Sequence, residues 1–285
     1  MEESGLDPNI VGRIYTGITE IVNLEKTMAY AKATNETNPR YYESDLKKVA
    51  IPPLFPVTMF IDPMIQIVSD DILNLDILRM VHGEQEILYH RTLRPLEKIQ
   101  TKVELDSIDV KEAGDILWAK MTGYAGEELV FEMRAGLFFK KPKKGKKISK
   151  PKIKEDSIER QIIVEQKMTV TSDQSVRYAA ASGDENPIHV DKDVAMAAGL
   201  PDKILHGLCT LAFATQAIVD NLADGDPTKV KRIKVRFSKP VFMEDILTTE
   251  GWLLEENETS KVIGFETNNQ NGETVLKLGS IELLK

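Results

Sequence analysis

The chain is poor in cysteine: Cys209 is the only one among 285 residues. An intrachain disulfide and a cysteine-based zinc cluster are therefore excluded. Long apolar runs are missing too. The longest are broken by Pro, Asp or Lys well before the roughly 18 residues that a membrane-spanning helix needs. The first ten residues, MEESGLDPNI, are acidic and lack the basic start and apolar core of a secretory leader. The last five, IELLK, form no peroxisomal or retention address and no prenylation box. These absences predict a soluble, cytoplasmic protein of a reducing compartment, with no membrane partner. With 42% hydrophobic and 29% charged residues, the composition is neither that of a disordered chain nor that of a fibre. A length of 285 residues is enough for a sizeable core and predicts two domains.

The net charge of −8 conceals an asymmetry. Residues 140–154 read KKPKKGKKISKPKIK, nine lysines without an acid, which leaves 28 basic residues against 45 acidic ones elsewhere. A Lys-rich run with two Pro and a Gly buries no apolar surface and reads as a linker. Its charge would also suit nucleic acid or a phosphorylated ligand. No aromatic residue interrupts it, so a base-stacking surface is absent and nucleic acid is not expected as a partner.

The segments on either side repeat each other. Residues 30–41 read YAKATNETNPRY and residues 178–189 read YAAASGDENPIH, an ungapped match at an offset of 148. The same offset pairs Pro53 with Pro201. LRPLEKI (93–99) echoes SKPVFMEDI (238–246), and Gly126-Glu127 echoes Gly272-Glu273. Several echoes in one order indicate a duplicated domain. The predicted organisation is a first domain over 1–139, the Lys-rich linker over 140–156 and a second domain over 157–285. In the second half, Thr171 with Gln174 reads as a capping box for a helix from about 173 to 182 that stops at Gly183. GLCTLAFATQAIVDNL, from Gly207, is apolar nearly all round and predicts a buried helix. Ile233, Val235 and Phe237 alternate with Lys234 and Arg236 as in a strand with one face inward. Residues 250–254, 262–267 and 274–284 read as further strands. One helix wrapped by an antiparallel sheet, made twice, is the predicted α+β architecture.

Two of the four histidines fall in YAAASGDENPIHVDKDVAMAAGLPDKILHG, which ends at Gly207. Tyr178, Ser182, Gly183, Asp184, Asn186, Pro187, Ile188, His189 and Ala195 resemble, position by position, the signature of the MaoC-like, R-specific enoyl-CoA hydratase (hydratase 2) family. His206-Gly207 resembles the start of that family's central helix. TNPRYYE and PPLFPVTM in the first half are similar to the N-terminal MaoC-like dehydratase domain. The resemblance covers most of the chain and implies a double hot-dog fold, two antiparallel sheets each around a central helix, packed as a pseudo-dimer. It implies a lyase of fatty-acid metabolism acting on acyl-CoA or acyl-carrier-protein thioesters: hydration of trans-2-enoyl thioesters to R-3-hydroxyacyl thioesters, or the reverse dehydration.

The residue types suit that reaction. Water needs a base as it attacks C3, C2 needs a proton, and the thioester oxygen needs donors as enolate charge develops. His189 is the candidate base, Asp184 the acid or the group that orients the water, and Gly207, at a helix start, the oxyanion donor. Asn186 is a positioning residue. Ser182 reads as a helix-end residue rather than a nucleophile, and His206 as a structural neighbour. Thr215 stands, by resemblance, where the family has a Ser that helps hold the site. Cys209 reads as an inert core residue, and His82 and His90 as surface or sheet positions. In the first half Glu36 and Tyr41 stand in for Asp184 and His189, and Pro56-Val57 for His206-Gly207. Proline has no N–H to donate, so that half is expected to be catalytically silent. Its Pro-broken segment 49–68 is expected to form a shortened or displaced helix that opens a tunnel for the acyl chain. No metal, nicotinamide or flavin is expected, and a homodimer is compatible with the fold. A hot-dog thioesterase and a non-catalytic acyl-thioester binding subunit are the competing readings.

Overall fold

The structure, a computed structural model, describes residues 5–76, 80–141 and 160–285. The first half opens with strand β1 (Ile14–Ile21) and helix α1 (Leu24–Ala33). Asn23 starts that helix by accepting the Glu25 and Lys26 N–H groups on its side-chain oxygen, which satisfies two of the donors a helix start leaves open. A 3-10 turn (Pro39–Tyr41) follows, then a second (Phe55–Phe60) that runs into α2 (Ile61–Val68). The half closes with β2 (Met80–Tyr89), β3 (Lys98–Lys111), β4 (Gly114–Ala125) and β5 (Glu128–Lys140). The second half runs β6 (Ile162–Thr169), α3 (Gln174–Ser182), a 3-10 turn (Pro187–His189), α4 (Lys192–Ala197) and α5 (Gly207–Leu222). It ends with β7 (Val230–Phe237), β8 (Ile246–Glu256), β9 (Ser260–Asn268) and β10 (Thr274–Leu284). Apart from Lys140 and Lys141, the Lys-rich linker read at 140–156 lies outside the described residues.

The strands form one sheet in the order β1-β3-β4-β5-β2-β7-β10-β9-β8-β6. Each half therefore has the same strand order, shifted by five strand numbers. The two expected sheets are joined edge to edge: β2 pairs antiparallel with β7 from Glu84↔Arg236 to Leu88↔Arg232. Joining removes two open edges, each of which would otherwise expose a row of unpaired backbone groups.

The offset of 148 is also visible in three dimensions. Tyr30 and Tyr178, equivalent by that offset, touch each other: both are fully buried and their hydroxyls are 3.4 Å apart. A residue meeting its own counterpart marks an internal two-fold axis between α1 and α3. Asn35 (φ 55°) matches Gly183 (φ 80°), and Leu96 (φ 63°) matches Glu244 (φ 70°). The two backbone bonds joining Val22 to Leu96 and Glu97 recur between Val170 and the pair Glu244 and Asp245.

Helix α5 is buried on every face from Cys209 to Val219, as its sequence predicts. Burying Leu211, Phe213, Ile218 and Val219 contributes about 1.5–3 kcal/mol each. The first half has no such helix. Its counterpart is the 3-10 turn 55–60 and the eight-residue α2, displaced toward β1. There the Asp62 carboxylate accepts the Ile18 N–H and the Gln66 amide donates to the Thr16 carbonyl, so α2 covers part of a strand edge. Met59, Phe60 and Ile67 are buried in the core, and the space bounded by Ile51, Pro53, Tyr89, Leu93, Pro227 and Val230 is a cavity of about 10 Å³. The capping box is only half formed. Gln174 reaches back to the Thr171 N–H, but the Thr171 hydroxyl turns to Asp173 and Gln174 instead of capping the helix. The Thr171 hydroxyl is engaged elsewhere: it donates to the Asp173 carboxylate and accepts from the Arg177 guanidinium.

Candidate functional site

The loop after α3 is folded by its own polar side chains. Gly183, at φ 80°, ends the helix in a left-handed conformation that a side chain would strain. The Ser182 hydroxyl accepts the Asp184 N–H at 3.2 Å, and the Asp184 carboxylate accepts the Asn186 N–H at 3.2 Å. The Asn186 side chain then accepts the Ile188 N–H at 3.3 Å and starts the turn 187–189 that carries His189. Asn186 thus positions the carboxylate with its backbone and the imidazole with its side chain. Ala195, buried in α4, packs beneath this loop's far end.

Both imidazoles are fixed by carbonyl groups. His189 Nδ1 lies 2.9 Å from the Ile204 carbonyl. A carbonyl only accepts, so Nδ1 carries the proton and Nε2 presents a lone pair. His206 Nε2 lies 2.9 Å from the Asp184 carbonyl and donates by the same argument, leaving Nδ1 unprotonated. The rings stack, with centroids 3.8 Å apart, and Tyr178 covers the far side of His206 at 4.8 Å. Burial lowers the pKa of His189, opposed by the charge of Asp184. Burial and the neighbouring His189 lower that of His206 to about 4. Both rings are neutral near pH 7, the form a base requires.

One ligand atom each from Asp184, His189 and His206 lies within 4.8 Å of the others. The spacing invites a metal, but the ring geometry does not fit one. The ring planes diverge by only 27°, so their in-plane lone pairs run side by side rather than converging on an ion. The same closeness suits a single water held between carboxylate and imidazole.

Gly207 opens α5, with His206 before it at the cap position. Among the described residues no acceptor is found for the Gly207 N–H. A side chain at Gly207 is excluded by contact: an added Cβ would meet the Phe237 ring at 2.9 Å. A free donor at the positive end of a sixteen-residue helix can hold a developing negative charge.

Thr215 lies on α5 eight residues past Gly207, about 12 Å along the helix. It is buried, its hydroxyl has no hydrogen-bond partner, and it shares no bond with Asp184 or His189. Ser182 caps Asp184, consistent with its reading as a helix-end residue. His206, read as a neighbour, grips the loop that holds Asp184 and stacks on His189. His82, read as a surface or sheet position, lies in β2 with its ring buried and within electrostatic reach of Asp184. Only the fold brings it there, so no local pattern could have shown it. In the first half, Glu36 and Tyr41 are buried, and the Asn38 side chain caps the turn 39–41 as Asn186 caps 187–189. The loop is kept while Glu36 and Tyr41 stand where the other half has Asp184 and His189.

Residues 154–274 match the MaoC like domain, and residues 9–133 match the FAS1-like, dehydratase domain region. The chain is 29% identical over 223 residues to peroxisomal multifunctional enzyme type 2 of Mus musculus, covering 74% of this chain and 29% of that protein. It is 35% identical over 185 residues to peroxisomal enoyl-CoA hydratase 2 of Arabidopsis thaliana, covering 61% of this chain and 60% of that one. It therefore spans less than two thirds of the length of these curated relatives. The crystal structure of a MaoC-like dehydratase from Phytophthora capsici superposes with a TM-score of 0.82 at 24% identity, over 99% of this chain and 98% of that one. With a matched region in each half and the double hot-dog architecture across the described residues, the chain belongs to the MaoC-like dehydratase family.

Proposed function

We propose that the chain is a hydro-lyase that adds water to trans-2-enoyl thioesters, giving R-3-hydroxyacyl thioesters, and runs the reverse dehydration at the same site. The observation that carries this is the His189 Nε2 lone pair beside the Asp184 carboxylate, next to the unpaired Gly207 N–H. A water between the two side chains attacks C3, and one of its protons passes to the pair. Charge moves to the thioester oxygen, where the Gly207 N–H and the helix dipole stabilise it. The pair returns a proton to C2, so the net change is one water added across the double bond. Acyl-CoA is the substrate class that the names of the relatives support; acyl-carrier-protein thioesters have the same reacting atoms.

The test is the enoyl absorbance of crotonyl-CoA, followed with chiral analysis of the product. The protein is expected to lower that absorbance to a constant equilibrium level and yield the R-3-hydroxy thioester. Asp184→Asn and His189→Gln are each expected to lose at least about 100-fold in rate. Release of free thiol with the double bond intact would mean a thioesterase, and binding without turnover a binding subunit; either overturns the proposal.

A further inference from the structure

Helix α5 has a polar centre at each end. It begins at the active loop, where His206 donates to the Asp184 carbonyl, and it ends at Leu222 beside the first-half loop. Three contacts hold that loop along the last turns of α5 and the segment after it. The Gln216 amide donates to the Asn35 carbonyl at 3.5 Å, the Asn38 amide donates to the Gly225 carbonyl at 2.6 Å, and Arg40 pairs with Asp226 at 3.3 Å. Glu36 lies between the first two of these contacts, within reach of the Asp220 charge. Gln216 and Asp220 are four residues apart and share one face of the helix. This centre is about 14 Å along α5 from Gly207.

The centre is short of positive charge. α5 has no basic residue in its last turn, where its backbone presents the negative end of the helix dipole. The cations on either side are engaged, Arg40 by Asp226 and Lys229 by Asp224. Among the described residues the carboxyl groups of Glu36 and Asp220 have no hydrogen bond and no ion pair. Gln216 is 4% exposed, and its Oε1 is buried without a partner, at the tip whose nitrogen holds the peptide joining Asn35 to Glu36. Buried polar atoms are rarely left so. Two carboxyl groups, an amide oxygen and a helix C-terminus are all acceptors, and one cation satisfies them together.

We propose that Glu36, Asp220 and Gln216 Oε1 hold a divalent cation of the calcium or magnesium class, which ties the first-half loop to the end of α5. The donors are oxygen only, which suits these hard ions rather than zinc or copper. Asp220 is exposed, so water can complete the ion's shell from that side. The proposal is independent of the hydratase reading. It gives the first-half loop a task of its own: the second half uses its copy for chemistry, and the first uses its copy as an anchor.

The experiment titrates protein stripped with a chelator and then freed of it, with calcium chloride and separately with magnesium chloride, by calorimetry at about pH 9. Burial and Asp220 raise the Glu36 pKa to about 8, so both carboxyl groups are ionised there. One ion per chain is expected, with a Kd on the order of 0.1 mM. At an ion concentration about 100-fold above Kd the melting temperature is expected to rise by about 5 °C. Glu36→Gln and Asp220→Asn, the latter at an exposed position where a folding defect is not expected, should each weaken binding at least about 10-fold. Asp224→Asn, which changes a nearby exposed carboxylate already paired with Lys229, and Asp184→Asn, in the active loop, should bind as the wild type does. No saturable binding of either ion overturns the proposal, and so does unchanged binding in Glu36→Gln or Asp220→Asn. Equal weakening in Asp224→Asn overturns it too, as diffuse attraction to surface charge, and loss in Asp184→Asn would put the ion in the active loop instead.

Discussion

Glu36 occupies the place that Asp184 has in the other half, and its surroundings have reversed its chemistry. It is buried, with Asp220 of α5 the nearby charge that disfavours ionisation. Burial first, then Asp220, raises its pKa from the ordinary 4.5 to about 8. Below pH 4.5 it is protonated whether the chain is folded or not, and it costs nothing. Between 4.5 and about 8 the unfolded chain releases the proton and the folded one keeps it, so stability falls across that window as pH rises. Above about 8 the penalty is complete. Glu36→Gln is therefore expected to leave urea-unfolding stability unchanged at about pH 4 and to raise it by a few kcal/mol at about pH 9. Equal effects at both pH values would contradict the assignment. At this scale the loop that holds Asp184 and His189 was legible in the sequence, because Asp184, Asn186, Pro187 and His189 are local and fold their own turn. The coupling of Glu36 to Asp220 and of His82 to Phe237 was not, because each joins residues more than 150 positions apart.

Among the elements, α5 and strands β7 to β10 follow from pattern alone. An all-round apolar run must be buried, and alternation must face one side inward. The first-half helix was legible only as a shortening. Pro53, Pro56 and Pro63 break the segment, but no periodicity showed that what remained would move to the edge strand. There it has a task. Ile14, Ile18 and Ile21 on β1 are 51%, 61% and 49% exposed, and an apolar open edge invites pairing with another chain. Asp62 occupies one of the edge donors, the Ile18 N–H. Asp62→Ala is expected to cost about 0.5–1.5 kcal/mol and to increase light scattering on storage at high concentration. Unchanged scattering would show that the edge is protected by something other than α2. The capping box at Thr171 forms only in part because Asp173 and Arg177 engage the threonine hydroxyl, a competition the Thr171-Gln174 spacing does not show.

For the molecule as a whole, the repeat was the most informative thing in the sequence. It predicted a duplicated domain; the shared strand order of the halves, the meeting of Tyr30 with Tyr178 and the fusion of the sheets are seen only in the structure. The symmetry stops at the chemistry. Among the described residues, only the loop after α3 carries a carboxylate and an imidazole beside a free helix start. Titration calorimetry with butyryl-CoA is expected to count one bound thioester per chain, and a count of two would mean that the loop around Glu36 and Tyr41 also binds.

The seam between β2 and β7 has a mechanical consequence. Five consecutive residue pairs cross it, and they would have to break together for one half to swing away from the other. Opening by hinge motion is therefore closed to this molecule. Whatever enters the site does so with the two halves held together along this seam, so any give must come from the loops and side chains around the site rather than from the sheet.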